Sequence, residues 1–143
     1  MANAISALIA AILVIIAVAA SAEANPKYAS FIIDANTGKV LYSRNADAPR
    51  YPASLTKMMT MYLVFEALES KLWTVDSKLR VSARAARQPS SKLGLRRGKT
   101  ISVRQAILAL ITKSANDVAT VIAENLSGSE RAFALKMTSK ARK

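Results

Sequence analysis

Pro52-Ala53-Ser54-Leu55-Thr56-Lys57-Met58-Met59-Thr60 places a serine hydroxyl at the mouth of a predicted helix with a lysine one turn further in. Side chains three apart on an α-helix share a face, so the Lys57 amine can reach the Ser54 hydroxyl and take its proton. Pro52 suits a helix start, because its φ is fixed and its missing N–H is one that a first turn leaves unpaired anyway. A hydroxyl there also lies in the positive end of the helix dipole, where free N–H groups stabilise developing negative charge. Taken alone, Ser-x-x-Lys is a short pattern of common residues, and a serine at a helix start is most often a cap. The composition sharpens the reading. The chain has no histidine and no cysteine, so Ser-His and Cys-His pairs are impossible and a serine nucleophile must use another base.

At 143 residues and 52% hydrophobic content, the chain is a globular protein of one domain at most. Part of that hydrophobicity is a leader. Ala7 to Ala20 is an unbroken apolar run of 14, followed by small residues around Ala22 and Ala24, which is the pattern of a secretory signal with two alternative cleavage points. Residues 1–24 are therefore expected to be a signal peptide and 25–143 the exported part, in the periplasm or on the outer face of the cytoplasmic membrane. No Lys or Arg precedes the run, so an uncleaved anchor is the alternative. Without cysteine an exported chain folds without disulfides. The charge balance is 21 basic to 9 acidic residues, and the ten Lys and Arg from Lys78 to Lys113 have no Asp or Glu among them. Such a surface attracts anions: envelope polymers or lipid head groups after export, nucleic acid in a cytoplasm. A solvated basic face with no partner explains the same charges.

Along the chain, Tyr28 to Asp34 and Lys39 to Arg44 read as strands of a hairpin around the turn residues Ala35 to Gly38. The run Phe31-Ile32-Ile33 predicts a strand covered on both faces. The Ser54 helix is expected to run to about Lys71 as a largely buried central helix, with its Met pair as core filler. Residues 72–100 read as loops with short helical or strand pieces. Ser102 to Gln105 fits a capping box for a helix ending near Lys113; a second helix follows from Asp117 to Leu126 and ends near Gly128. Ser127-Gly128-Ser129-Glu130 suggests another capping box, opening a helix from Arg131 that is still running at Lys143. Gly94 to Thr100 imitates a phosphate loop but has three residues between its glycines where four are needed.

A second motif, Ser114-Ala115-Asn116, follows sixty residues after Ser54 in the break between two predicted helices. Ser-x-x-Lys followed by Ser-x-Asn is the signature of penicillin-recognising serine enzymes. Phe31 to Tyr42, Tyr51 to Thr60, Leu93-Gly94-Leu95 and Lys113 to Asp117 together closely resemble the D-alanyl-D-alanine carboxypeptidases of peptidase family S11, over about residues 27 to 143. The resemblance implies an α/β (α+β) β-lactamase/transpeptidase-like fold, here the N-terminal hairpin and the central helical region. It implies that Ser54 attacks the terminal D-Ala–D-Ala bond of a peptidoglycan stem peptide, with Lys57 as base and Ser114 relaying a proton to the leaving amine. Asn116 would bind the substrate backbone or Lys57. A lysine amine is mostly protonated at neutral pH, so the base role needs burial or a nearby cation. β-Lactams are the expected inhibitors; no metal, no cofactor and no nucleic acid are expected. The family's third motif, Lys-Thr-Gly, does not occur among these residues, so the chain is read as the N-terminal part of such an enzyme and as inactive alone. The alternatives are a serine β-lactamase, disfavoured by the Pro-Ala-Ser-Leu-Thr-Lys setting and the hairpin, and a non-catalytic peptidoglycan- or envelope-binding protein.

Overall fold

The computed structural model describes residues 28–142, which divide into a unit ending at Tyr51 and a unit beginning at Pro52. The predicted leader lies outside the described residues. Among those that are described, no helix is long and apolar enough to cross a membrane.

The first unit is the expected hairpin. Strand β1 (Ser30–Ile33) pairs antiparallel with β2 (Val40–Arg44). The turn is organised by Asp34, whose carboxylate accepts hydrogen bonds from the Asn36 and Thr37 N–H groups and the Thr37 hydroxyl. Those Thr37 bonds hold the Asp34 carboxyl below its ordinary range. Gly38 closes the turn at φ +70°, a conformation that suits a residue without Cβ. Ile32 faces Tyr42 but Ile33 faces Val40, so Leu41 is an extra residue on β2 and the ladder carries a bulge. Among the described residues the expected cover on both faces is not found: Phe31, Ile32 and Ile33 are all about half exposed.

In the second unit the chain enters through a 3-10 turn (Ala53–Leu55) and continues as α1 (Thr56–Glu69). Two three-residue strands, β3 (Lys78–Arg80) and β4 (Thr100–Ser102), pair antiparallel across the stretch read as irregular, with the short helix α2 (Ala83–Ala86) between them. The would-be phosphate loop is the turn into β4, tied to Val81 through Gly98 and Lys99. Helices α3 (Val103–Lys113), α4 (Asn116–Ser127) and α5 (Glu130–Ala141) complete the unit. The Ser102 capping box forms as expected, with Gln105 returning a bond to the Ser102 N–H. At α5 the cap lies two residues later than expected: Ser127 is the last residue of α4, Gly128 closes it in the left-handed region, and Ser129 caps α5, which starts at Glu130, through the Ala132 N–H. Nor does α5 reach the end of the described chain; Arg142 is its C-cap.

The core centres on α4, not α1. Val118, Val121 and Ile122 are fully buried among Leu63 and Val64 of α1, Val103 and Leu110 of α3, Leu79 of β3 and Phe133 of α5. Helix α1 was expected to be enclosed but is two-faced. Thr60, Leu63, Val64 and Ala67 are buried, whereas Leu55, Met58, Tyr62 and Phe65 are half or more exposed. Their 3-4-3 spacing puts these four on one stripe, so of the Met pair only Met59 packs against the core. Removing core methylenes leaves a cavity, whereas trimming an exposed ring does not. Leu63→Ala is therefore expected to cost about 2–5 kcal/mol of unfolding free energy and Phe65→Ala no more than about 0.5 kcal/mol, measured by denaturant titration. Equal losses would show that the stripe is covered in solution.

Candidate active site

The 3-10 turn positions the serine. Pro52 O accepts from the Leu55 N–H at 3.0 Å, and Ala53 holds φ +49°, a left-handed conformation that costs an L-residue on the order of 1 kcal/mol. Ser54 is exposed and caps neither the 3-10 turn nor α1. Its hydroxyl is thus not consumed by the backbone, the fate usual for a serine at a helix start.

Lys57, half-buried on the first turn of α1, aims its amine at both motifs. Nζ lies 3.5 Å from Ser54 Oγ and 2.8 Å from Asn116 Oδ1. The first distance is a loose approach and the second a formed hydrogen bond. Asn116 is the first residue of α4. Its Nδ2 donates to Pro89 O at 3.0 Å and its backbone N–H donates to Ser91 O at 2.7 Å. Because the amide nitrogen is committed to Pro89, the oxygen is the atom presented to Lys57.

Ser114 closes α3 with φ +51° and ψ +42°, a position usually given to glycine or asparagine. The Ser114 N–H bonds to Leu110 O at 3.0 Å, and the Ala115 N–H reaches back to Ala109 O at 3.4 Å, so the last carbonyls of α3 are satisfied. The Ser114 hydroxyl is half-buried and has no hydrogen-bond partner among the described residues. So the structure joins Ser54, Lys57 and Asn116 in one chain of contacts and leaves Ser114 two residues away at the same helix junction.

Asp117, the last residue of the Lys113 to Asp117 stretch, has no role that its sequence position reveals. An acidic residue in a first helical turn reads as a partner for the dipole, but this one turns inward and is fully buried. Its Oδ1 accepts from the Leu93 and Val118 N–H groups and its Oδ2 from those of Gly94 and Leu95, all at 2.8–3.0 Å. Burial pushes its pKa up, and these four backbone donors outweigh that and hold it below the ordinary value. The stability it lends is accordingly present above the unfolded carboxyl pKa and is lost as pH falls through the depressed one.

A residue with Cβ held at the left-handed end of α3 is strained, and glycine would relieve it. Ser114→Gly is expected to raise the unfolding free energy by about 1 kcal/mol while removing the hydroxyl. A loss of stability on denaturant titration would show that the hydroxyl holds the junction together.

Sequence comparison places this geometry in a family. The family profile for D-alanyl-D-alanine carboxypeptidase (Peptidase_S11) matches residues 16–143. The chain is 39% identical over 111 residues to the D-alanyl-D-alanine carboxypeptidase DacF of Bacillus subtilis, covering 78% of this chain and 28% of that protein. It superposes on the crystal structure of the D-alanyl-D-alanine carboxypeptidase DacD from Francisella tularensis with a TM-score of 0.75 and 31% identity, over 83% of this chain and 29% of that one. The penicillin-binding protein D2 of Listeria monocytogenes, solved in an ampicillin-bound form, matches with a TM-score of 0.61 and 33% identity over 80% of this chain and 45% of its own. The chain thus spans under a third of DacF and shares the mixed helix-and-strand fold of the solved relatives over the matched part. On these matches, the chain belongs to the D-alanyl-D-alanine carboxypeptidase family, peptidase family S11.

Proposed function

We propose that these residues form the nucleophile side of an exported serine D-Ala-D-Ala carboxypeptidase acting on peptidoglycan stem peptides in cell-wall biogenesis. The observation that carries the reading is the Lys57 amine shared between Ser54 Oγ and Asn116 Oδ1, which brings two motifs 59 residues apart into one site. Ser54 Oγ attacks the carbonyl of the terminal D-Ala–D-Ala bond as its proton passes to the neutral Lys57 amine. The C–N bond breaks, the proton reaches the leaving nitrogen by way of Ser114, and free D-alanine departs from an acyl-enzyme. Water then releases the shortened peptide by the same steps in reverse. A β-lactam ring in place of the peptide bond would leave Ser54 as a long-lived ester.

The developing oxyanion needs donors, and the Ser54 backbone N–H at the helix mouth supplies one. The second donor and the cation for the substrate carboxylate are assigned by resemblance to Lys-Thr-Gly, which is absent from the 143 residues. Losing one oxyanion donor costs a serine hydrolase about a hundredfold to a thousandfold, so the 143 residues alone carry the nucleophile without a working site. Among the described residues of the basic segment only Arg84 is ion-paired, with Glu130. The remaining cations support association with anionic envelope polymers or head groups.

A fluorescent penicillin tests the reading on two proteins. The 143-residue chain is expected to remain unlabelled. A chimera in which this chain replaces the matching segment of DacF is expected to label at Ser54, to lose labelling entirely in Ser54→Ala, and to label about a hundredfold or more slowly in Lys57→Ala. A folded chimera that does not label, or labelling that survives Ser54→Ala, would contradict the mechanism. Stoichiometric labelling of the 143 residues alone would contradict their incompleteness.

A further inference from the structure

The loop from Gln88 to Leu95 has no regular secondary structure, and it is gripped from both sides by two residues adjacent in sequence. Asn116 grips it by its carbonyls: the side-chain amide donates to Pro89 O and the backbone N–H to Ser91 O. Asp117 grips it by its amides, accepting from Leu93, Gly94 and Leu95. Ser91 adds a third tie, its hydroxyl donating to Lys113 O at the end of α3 at 2.7 Å. The two grips depend on each other. Asn116 presents its oxygen to Lys57 only while Pro89 O stays in place to receive its nitrogen, and the far end of the segment bearing Pro89 is fixed by the Asp117 carboxylate. The choice of residue also fits. A buried carboxylate has the lone pairs to meet four N–H donors, and an amide of the same shape would turn an NH2 against two of them.

We propose that Asp117 is a positioning residue of this site: its carboxylate locks the 88–95 loop, the loop orients Asn116, and Asn116 holds the Lys57 amine beside Ser54. Asp117 touches none of the reacting atoms and acts through the carbonyls of Pro89 and Ser91. What is being positioned rests on the carboxypeptidase reading above; the positioning itself does not.

The test is therefore read first by NMR on the 143-residue chain, without any activity. In Asp117→Asn, the amides of Leu93, Gly94 and Leu95 should exchange at least tenfold faster. The Asn116 side-chain NH2 resonances should shift, while the Leu63 and Val64 amides in α1 keep their protection. Asp117→Ser, which removes the carboxylate without facing an NH2 against backbone donors, should give the same pattern. Uniform loss of protection in both variants would show that Asp117 merely supports the unit. Faster loop exchange with unmoved Asn116 resonances would show that the loop does not orient Asn116; either result overturns the proposal. In the DacF chimera, Asp117→Asn should slow penicillin acylation about tenfold or more with little change in the concentration dependence of binding. An unlabelled chimera would count against the carboxypeptidase reading and leave the NMR result to decide the positioning.

Discussion

The hydrogen bond from the Lys57 amine to Asn116 Oδ1 ties the start of α1 to the start of α4 and holds that amine 3.5 Å from Ser54 Oγ. Ser54 and Lys57 are neighbours by helical spacing, but spacing does not choose among the rotamers of a lysine with four rotatable bonds. A partner anchored on the most enclosed helix of the unit does. Asn116 itself is held by the backbone of the 88–95 loop, so the amine's place is determined by a chain of polar contacts that ends in the buried Asp117 carboxylate. Only the Asp117 end of this chain is buried, where an unpaired carboxylate would be costly, and there its oxygens meet four N–H donors.

Two strained residues flank these contacts. Ala53, immediately before Ser54, and Ser114, closing α3, both occupy the left-handed region without being glycine. Each costs on the order of 1 kcal/mol and persists only because the surrounding packing fixes it. At Ala53 the conformation turns the chain into the 3-10 turn that leaves the Ser54 hydroxyl free; at Ser114 it closes α3 just ahead of Asn116. Around that junction the core is ordinary: small and branched residues of α4 set against α1, α3 and the β3–β4 pair.

What could be read from the sequence was what local chemistry determines. The hairpin turn followed from Asp34 to Gly38, the Ser102 capping box from its spacing to Gln105, and the end of α4 from Gly128. Family resemblance supplied the pairing of Ser54 and Lys57 with Asn116. The β3–β4 pair was not legible, because three-residue strands with one buried side chain in β3 and two in β4 show no period. The environment of α1 was misjudged for another reason: a wide apolar arc says that a helix has two sticky faces, not that both are covered. Asp117 was missed because the direction of an acidic side chain in a first turn depends on a loop more than twenty residues away. Ser127 misled because a serine before glycine reads as a cap from either side.

The central claim is that Lys57 and Asn116 act on each other directly, and a double-mutant cycle measures that. Unfolding free energies of the parent chain, Lys57→Met, Asn116→Ala and the double variant would be compared by denaturant titration. A partly buried amine–amide hydrogen bond predicts a coupling energy of about 0.5–1.5 kcal/mol. Additive single-mutant effects, with coupling below about 0.3 kcal/mol, would mean that the amine is not held there in solution and would contradict the account.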